Sequence, residues 1–427
     1  MMKLYEHQSN ALKETADKTH VAYYHDMGLG KTFTGAEKMH QLGARVNLVV
    51  CQKSKIDDWV EHFENNYTEC RVFNLTIPSV YKMFRCGLSK EVTQVLVINY
   101  ELAFRRSELA KLEDFTLMLD ESSLIQNENS KRSRFILKKL QPKNVILLSG
   151  TPTGGKYELL WSQLHLLGWS ISKDLYWKQY VDFHYDDNEG YPIRIIDGYK
   201  NVERLKKKMR QYGCNFLKTE EVFDLPEQIH DTIKVPTTKE YRTFRKDSII
   251  EINLPPCNDV FALVGDTTLT KMLYERQLCG QYNQDKLAAF RDLLESTDDR
   301  LIVFYNFTAE LDALSEIACD CGRKFSLVNG YDKQLDNYEN CNNSVTFIQY
   351  QAGAMGLNLQ KANKIVYFTP PLSSELFEQS KKRIHRIGQN RSCFYYYMTC
   401  RNSIEEKIYE TLAMRKDYTD KLFEESI

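Results

Sequence analysis

The sequence has no apolar run long enough to cross a membrane, no regular cysteine spacing and almost no net charge. A membrane-spanning helix needs about 20 consecutive apolar residues, and no stretch of this chain approaches that length. Lys plus Arg number 57 and Asp plus Glu number 58, so the formal net charge is −1. Overall charge therefore does not mark a nucleic-acid-binding protein, and any surface that binds phosphates must be local.

The 11 cysteines are scattered and contain no C-x-x-C pair; the nearest two are Cys319 and Cys321. An odd number without a spacing pattern indicates reduced thiols rather than a disulfide framework or a zinc site. The first residues, Met1 to Glu6, lack the apolar core of a signal peptide. We therefore expect a cytoplasmic protein that is neither secreted nor membrane-bound. The compact chain without a nuclear targeting run favours a bacterial or virus-infected cell.

Eight short runs of β-branched and other apolar residues predict the strands of the fold. They are continuous rather than alternating, which is typical of strands buried on both faces of a parallel sheet. Helix-like segments such as Asp57–Asn65 and Glu375–His385 lie between them, so the chain is predicted to be α/β. The runs are Val46–Val50, Val95–Ile98, Phe115–Leu119 and Val145–Leu148, followed by Leu301–Phe304, Val345–Ile348, Ile365–Phe368 and Phe394–Met398.

The two sets of runs are separated by a long region that is helical in pattern and rich in tyrosine. This arrangement predicts a first lobe at 1–154, helical insertions and an inter-lobe region at 155–290, and a second lobe at 291–400. The tail, 401–427, is predicted to be helical and to pack on the core. Ser403 and Glu406 form a capping-box pattern ahead of its apolar positions.

Asp26–Thr32 has the composition of a phosphate-binding loop and ends in Gly-Lys-Thr. Gly28 and Gly30 allow backbone N–H groups to close around phosphate oxygens, and a following helix would add positive potential. Lys31 is predicted to reach the β- and γ-phosphates of ATP, and Thr32 to bind Mg²⁺. The full pattern has glycine six residues before the lysine, where this chain has His25.

An apolar strand, Phe115–Leu119, ends directly in Asp120 and Glu121. An acid at a strand end can hold Mg²⁺ through water, and the next carboxylate can orient the attacking water. The two acids therefore predict a metal ligand, Asp120, and a catalytic base, Glu121. The alternative is a solvated acidic turn, which the phosphate loop about 90 residues earlier disfavours.

Taken in order, these motifs resemble those of helicase superfamily 2 and, within it, the SWI/SNF-type DNA translocases. The resemblance covers nearly the whole chain and departs at three positions. Gln52 stands where the family usually has proline, Ser123 where it has histidine, and Gln351 where members often have arginine. The segments that carry it are Leu4–Gln8, Asp26–Thr32, Val49–Trp59, Ile98–Glu101, Asp120–Ser123, Leu148–Pro152, Glu158–Trp161, Leu301–Phe304, Gln351–Leu359 and Gln379–Gln389.

Of these strings, Gln379–Gln389 is the most specific. Gln379, Arg383 and Arg386 are spaced by four and three, which would bring them onto one helical face. Guanidinium groups are always ionised and offer a planar donor fork, which suits the charge that develops on a transferred phosphate. A finger of this kind contributes about 10³–10⁵ in rate. A solvated basic helix is the alternative interpretation.

The resemblance implies two RecA-like parallel-sheet lobes with ATP and Mg²⁺ between them. It assigns Lys31, Asp120, Glu121, Arg383 and Arg386 to catalysis and Thr32 and Asp120 to Mg²⁺. The nucleotide-binding residues that it implies are Gln8, whose amide would read adenine, Gly28, Gly30, Lys31, Thr32, Gly356, Asn358 and Gln379. The implied nucleic-acid contacts are Lys53, Asn99, Tyr100, Asn306, Gln351 and Ala352.

The implied function is ATP-dependent movement along double-stranded DNA by a monomeric chain that remodels bound complexes. Single-stranded DNA and RNA are alternative partners, and no membrane is expected. Two other functions stay open. One is a helicase that separates DNA or RNA strands, and the other is an ATP-regulated DNA clamp or scaffold with slow turnover.

Overall fold

The fold is described from a computed structural model of the chain, which describes residues 4–87, 91–186, 193–254, 259–353 and 357–423. The chain divides into two compact units. The first comprises residues 1–223 and 416–427, and the second comprises residues 224–415.

A seven-stranded sheet forms the centre of the first unit. All its pairings are parallel. Its strands are β1 (His20–His25), β2 (Val46–Cys51), β3 (Arg71–Asn74), β4 (Gln94–Asn99), β5 (Thr116–Asp120), β6 (Asn144–Ser149) and β9 (Cys214–Leu217). Their order across the sheet is β3-β4-β2-β5-β6-β1-β9. Because the strands are parallel, their carboxyl ends share one edge, where the loops that follow them converge.

Helices cover both faces of this sheet and bury two apolar clusters against it. The helices are α1 (Glu6–Glu14), α2 (Lys31–Leu42), α3 (Ile56–Asn66), α4 (Pro78–Arg85), α5 (Tyr100–Ala103), α6 (Lys131–Lys138), α7 (Trp161–Leu166), α8 (Lys173–Tyr180) and α9 (Val202–Gln211). Short 3₁₀ helices span Lys53–Lys55, Ser107–Lys111, Ser122–Ile125, Tyr157–Leu159 and Thr219–Glu221. A separate hairpin pairs β7 (Val181–Asp186) with β8 (Ile193–Tyr199).

The second unit also contains a seven-stranded sheet. Its strands are β10 (Gln228–Val235), β13 (Leu301–Tyr305), β14 (Phe325–Val328), β15 (Lys333–Gln334), β16 (Val345–Gln349), β17 (Lys364–Tyr367) and β18 (Cys393–Cys400). Their order is β10-β18-β17-β13-β16-β14-β15, and only the β14–β15 pair is antiparallel. A hairpin pairs β11 (Ile249–Leu254) with β12 (Asp259–Val264).

The second unit's helices bury apolar residues against this sheet. These helices are α10 (Lys239–Asp247), α11 (Thr268–Cys279), α12 (Gln284–Glu295), α13 (Thr308–Asp320), α14 (Asp336–Asn340), α15 (Tyr350–Gly353), α16 (Ser374–Lys381) and α17 (Ile404–Phe423). In the case of α10 and α11, apolar residues are also buried against the β11–β12 hairpin. In α17, Ile408 and Leu412 are buried in the core of this unit. Residues from Lys416 onward are grouped with the first unit.

The two parallel-dominated sheets confirm the predicted α/β fold, and all eight predicted runs lie on strands. The region 155–290 differs from the expected helical insertion. It is divided at Phe223, and it contributes β9 to the first sheet and β10 to the second. These strands lie at sheet edges and alternate between polar and apolar residues, so they lack the continuous apolar run that marks a central strand.

Among the described residues, no helix combines the length and the apolar character needed to span a membrane.

Candidate functional site

The phosphate-loop residues connect β1 to α2 at the carboxyl edge of the first sheet. Gly28 and Gly30 have φ values of 89° and 72°, a left-handed conformation that favours glycine. The loop therefore turns sharply enough for α2 to begin at Lys31. The Lys31 ammonium donates to the carbonyl oxygens of His25 (2.8 Å) and Asp26 (3.1 Å). This arrangement aims a cation and a helix N-terminus at one point, which is what a phosphate requires.

Gln8 lies against the phosphate loop. It is 2% exposed, and its amide nitrogen donates to the carbonyl oxygens of Leu29 (3.2 Å) and Gly30 (3.4 Å). Its amide oxygen accepts from the backbone N–H of Tyr5 at 3.0 Å. In this structure the Gln8 amide thus supports the loop, while its expected role in reading adenine stays a prediction.

An open cavity of about 980 Å³ lies beside Gln8, between α1 and the segment from α9 to Phe223. His7 and Tyr5 stack at one side, and the His7 ring meets Phe223 edge-to-face with centroids 5.6 Å apart. Asn10, Glu14 and Arg210 also line the cavity. Aromatic rings with neighbouring polar groups suit a planar heterocyclic base.

Asp120 ends β5 and Glu121 follows it, at the same edge of the sheet as the phosphate loop. Burial raises the pKa of both carboxyls, and the Lys31 ammonium opposes that rise in each. Glu121 has a left-handed backbone, with φ 56°. Its Oε1 accepts hydrogen bonds from the hydroxyls of Ser149 (2.7 Å) and Ser123 (3.2 Å). The two hydroxyls fix the orientation of the carboxylate that was predicted as the base.

Gly150, the residue directly after β6, lies against the phosphate loop. A Cβ added at Gly150 would lie 3.4 Å from the Lys31 ammonium. Lys31, Asp120 and Glu121 are therefore neighbours, as the sequence predicted, although about 90 residues separate them in the chain. Half-buried Thr32 lies in the first turn of α2. The oxygen donors of Thr32 and Asp120 suit Mg²⁺, so these residues fit the expected cofactor.

In the second unit, the arginines of Gln379–Gln389 do not share a helix. α16 ends at Lys381, and residues 382–388 form turns. The amide nitrogen of Gln389 donates to the carbonyl oxygens of Gln360 (3.1 Å) and Ala362 (2.8 Å), which holds the turn in place. The predicted helical face of Gln379, Arg383 and Arg386 is therefore wrong, because the helix ends before both arginines and the Gln389 bonds hold the segment after it in turns.

The two arginines differ in exposure. Arg383 is 2% exposed, and its guanidinium donates to the carbonyl oxygen of Leu357 at 3.5 Å. Arg386 is half-buried and donates to Oδ1 of exposed Asn358, which brings together two predicted site residues. Gln379 is buried and donates to Glu375 at 3.4 Å. Gly356 lies outside the described residues.

The predicted nucleic-acid contacts fall into two groups. Lys53 and Gln351 are exposed, and Asn306 is half-buried. Their positions are consistent with a surface role. In contrast, the side chains of Asn99, Tyr100 and Ala352 are 4%, 0% and 3% exposed. Direct side-chain contact by these three does not fit the structure, because their side chains are buried.

Sequence reasoning did not assign the groups that hold the acidic residues. The indole nitrogen of Trp59 donates to Asp120 Oδ2 at 2.8 Å, and the Tyr100 hydroxyl donates to the Asp120 carbonyl oxygen at 2.9 Å. Ser149 and Ser123 hold Glu121 in the same way. All four lie within the motif segments, but motif position does not tell which side chain turns inward.

The strand-end phosphate loop and the acidic pair define a P-loop ATPase of helicase superfamily 2. The chain matches the SNF2-related domain over residues 13–284 and the helicase conserved C-terminal domain over residues 285–388. It therefore belongs to the SNF2-related family.

Proteins from several organisms are similar to nearly the whole of this chain. The chain is 24% identical to mouse SWI/SNF-related matrix-associated actin-dependent regulator of chromatin subfamily A member 1, over 91% of this chain and 40% of that protein. It is 25% identical to yeast DNA repair and recombination protein RAD26, over 93% and 39%. It is 22% identical to the Bacillus subtilis putative ATP-dependent helicase/translocase YwqA, over 93% and 46%. The chain thus spans less than half the length of each.

Among solved structures, the chain is similar to the Sulfolobus solfataricus SWI2/SNF2 ATPase core in complex with dsDNA. The TM-score is 0.46 at 18% identity, with 98% of this chain and 92% of that chain covered.

Proposed function

We propose that this ATPase is a motor that binds double-stranded DNA and moves along it, remodelling complexes in its path, without separating the strands. The observation that carries the proposal is the convergence of Lys31, Asp120 and Glu121 at one edge of the first sheet, in a member of the SNF2-related family. DNA as the partner is supported by relatives described as a chromatin regulator, a DNA repair and recombination protein and a putative ATP-dependent helicase/translocase. Further domains of those relatives do not enter the proposal.

The residues divide the chemistry as follows. Gly28, Gly30 and Lys31 bind the phosphates of ATP, and Thr32 and Asp120 hold Mg²⁺, which neutralises phosphate charge when bound. Glu121, held by Ser149 and Ser123, orients the attacking water and accepts its proton.

The second unit is proposed to supply Arg383 and Arg386 for the charge that develops on the transferred phosphate. The conservative change Arg386→Lys keeps the charge and loses the planar fork. Turnover is expected to fall while nucleotide affinity changes less. Full DNA-stimulated turnover in Arg386→Ala would remove this residue from the mechanism.

On the DNA side, Lys53, Gln351 and Asn306 are the proposed contacts, because their side chains reach the surface. Contacts to phosphates carry no base sequence and weaken steeply with salt. We therefore propose that DNA binding is independent of base sequence. We also propose that the protein is cytoplasmic and monomeric.

The experiment compares ATP hydrolysis with duplex DNA, single-stranded DNA and RNA at one salt concentration. It adds displacement of a third strand from a triplex and unwinding of a forked duplex. We expect stimulation by the duplex, triplex displacement and little unwinding, because following an intact duplex avoids about 1.4 kcal/mol of stacking per base-pair step. Glu121→Gln, which keeps its shape and loses the base, is the inactive control.

Three outcomes would contradict the proposal. Fork unwinding without triplex displacement would indicate a helicase. Hydrolysis without activity in either strand assay would indicate a clamp. Glu121→Gln turning over ATP at the parent rate would show that the active site is wrongly assigned.

A further inference from the structure

The indole of Trp59 is buried beside the acidic pair. Trp59 lies on α3, is 1% exposed, and packs against Phe63 with ring centroids 5.8 Å apart and planes inclined by 24°. Its Nε1–H donates to Asp120 Oδ2 at 2.8 Å. Packing alone would account for a buried tryptophan ring, so the hydrogen bond from its N–H group to a carboxylate is an additional and specific feature.

Tyr100 reaches the same pair from another strand end. Its side chain is fully buried, and its hydroxyl lies 2.9 Å from the Asp120 carbonyl oxygen and 3.4 Å from that of Glu121. Tyr100 begins α5, which follows β4. Two segments of the first unit therefore hold the acidic pair. Trp59 binds the side chain of Asp120, and Tyr100 binds the backbone carbonyl oxygens of Asp120 and Glu121.

The Trp59 bond matters because burial opposes the charged form of Asp120. An N–H group that donates to a carboxylate stabilises its charge and fixes its orientation. Groups that orient a metal ligand in this way affect metal affinity by about 10- to 100-fold. The buried indole N–H is directed at Asp120, so we expect Trp59 to act through that carboxylate.

We propose that Trp59 is a positioning residue that sets the Mg²⁺ affinity of Asp120. This inference rests on the proposed function. It gives the Trp59 segment a part in the ATP site in addition to any contact with DNA.

The first test measures how binding of a fluorescent ADP analogue depends on Mg²⁺, in the full chain and in Trp59→Phe. Phenylalanine keeps the packing and removes the donor. The Mg²⁺ concentration for half-maximal binding is expected to rise about tenfold, while binding in EDTA stays unchanged. An unchanged Mg²⁺ requirement would overturn the proposal.

Trp161→Phe is the matched control, because it also removes an indole N–H bond, here to the Ile171 carbonyl oxygen at 2.9 Å. It should leave the Mg²⁺ requirement as it is. An equal change in both variants would show a general packing effect and would overturn the proposal.

The second test does not depend on Trp59→Phe folding. Tryptophan-labelled parent protein gives one indole N–H resonance for each of its four tryptophans, and single Trp→Phe changes at the other three assign Trp59 by elimination. Adding Mg²⁺ to the ADP-bound protein should move the Trp59 resonance and leave that of Trp161 in place. A stationary Trp59 resonance would overturn the proposal.

Failure of the proposed function and failure of this inference give different results. If the parent protein binds no nucleotide, the proposed function fails. If the parent binds nucleotide and Trp59→Phe has the same Mg²⁺ requirement, only the role of Trp59 is overturned.

Discussion

A buried ion pair in the second unit allows a quantitative prediction about stability. The Lys286 ammonium on α12 lies 2.6 Å from Glu405 Oε1 at the start of α17, and both side chains are fully buried. Burial disfavours the ammonium, but Glu405 more than offsets this and raises the pKa of Lys286. The other oxygen of Glu405 accepts from the Cys400 backbone N–H at 3.0 Å. Burial raises the pKa of Glu405 although the Lys286 ammonium opposes the rise, so the buried carboxylate depends on its partner.

Replacing Lys286 with methionine should destabilise the second unit by about 3–5 kcal/mol, because the Glu405 charge stays buried without its partner. For a unit of this size, about 2–4 °C of Tm corresponds to each kcal/mol, so Tm should fall by about 6–20 °C. The double change Lys286→Met with Glu405→Gln should recover most of the loss. Glutamine is neutral, and its amide oxygen can still accept from Cys400.

The assay is thermal and urea unfolding at pH 7, followed by circular dichroism. The control is Lys361→Met, which breaks an ion pair with Glu339 in which both side chains are about half exposed. Exposed pairs contribute about 0–1 kcal/mol, so this variant should melt close to the parent. A loss below about 1 kcal/mol for Lys286→Met, or a double variant no more stable than the single one, would refute the reasoning.

Three further predictions concern a turn, the active site and pH. Gly213→Ala should lower the free energy of unfolding by at least about 2 kcal/mol, because φ is +87° and the added Cβ would overlap the His20 carbonyl oxygen. Gly43→Ala is the control, since φ is +64° but the space around it is open, and it should cost only about 1 kcal/mol in the same thermal and urea unfolding experiments. Ser149→Ala should lower kcat about tenfold with a smaller effect on KM, and steady-state hydrolysis checks this. Burial raises the pKa of Glu310 from 4.5 to about 7, so the folded form binds the proton more tightly than the unfolded one. Its contribution of about 3 kcal/mol is full below pH 4.5 and is lost as pH rises to 7, and Glu310→Gln should remove that slope from urea unfolding curves.

The sequence by itself determined the α/β class, the central strands and the position of the candidate ATP site. Continuous apolar runs of four or five residues are typical of strands buried on both faces of a parallel sheet. The phosphate loop after β1 and the acidic pair at the end of β5 are each local properties of the chain. Parallel pairing then brings Lys31, Asp120 and Glu121 to one edge.

Only the tertiary structure decided which side chains turn inward and where elements end. The strands β9 and β10 lie at sheet edges, and their mixed composition does not distinguish them from helix or loop. α16 stops at Lys381 because Gln389 binds carbonyl groups from a distant segment, and helical spacing cannot report such bonds. Trp59 and Tyr100 follow the same logic: their motifs are visible in the sequence, but their hydrogen bonds to the acidic pair exist only because β2, β4 and β5 are neighbours in the folded sheet.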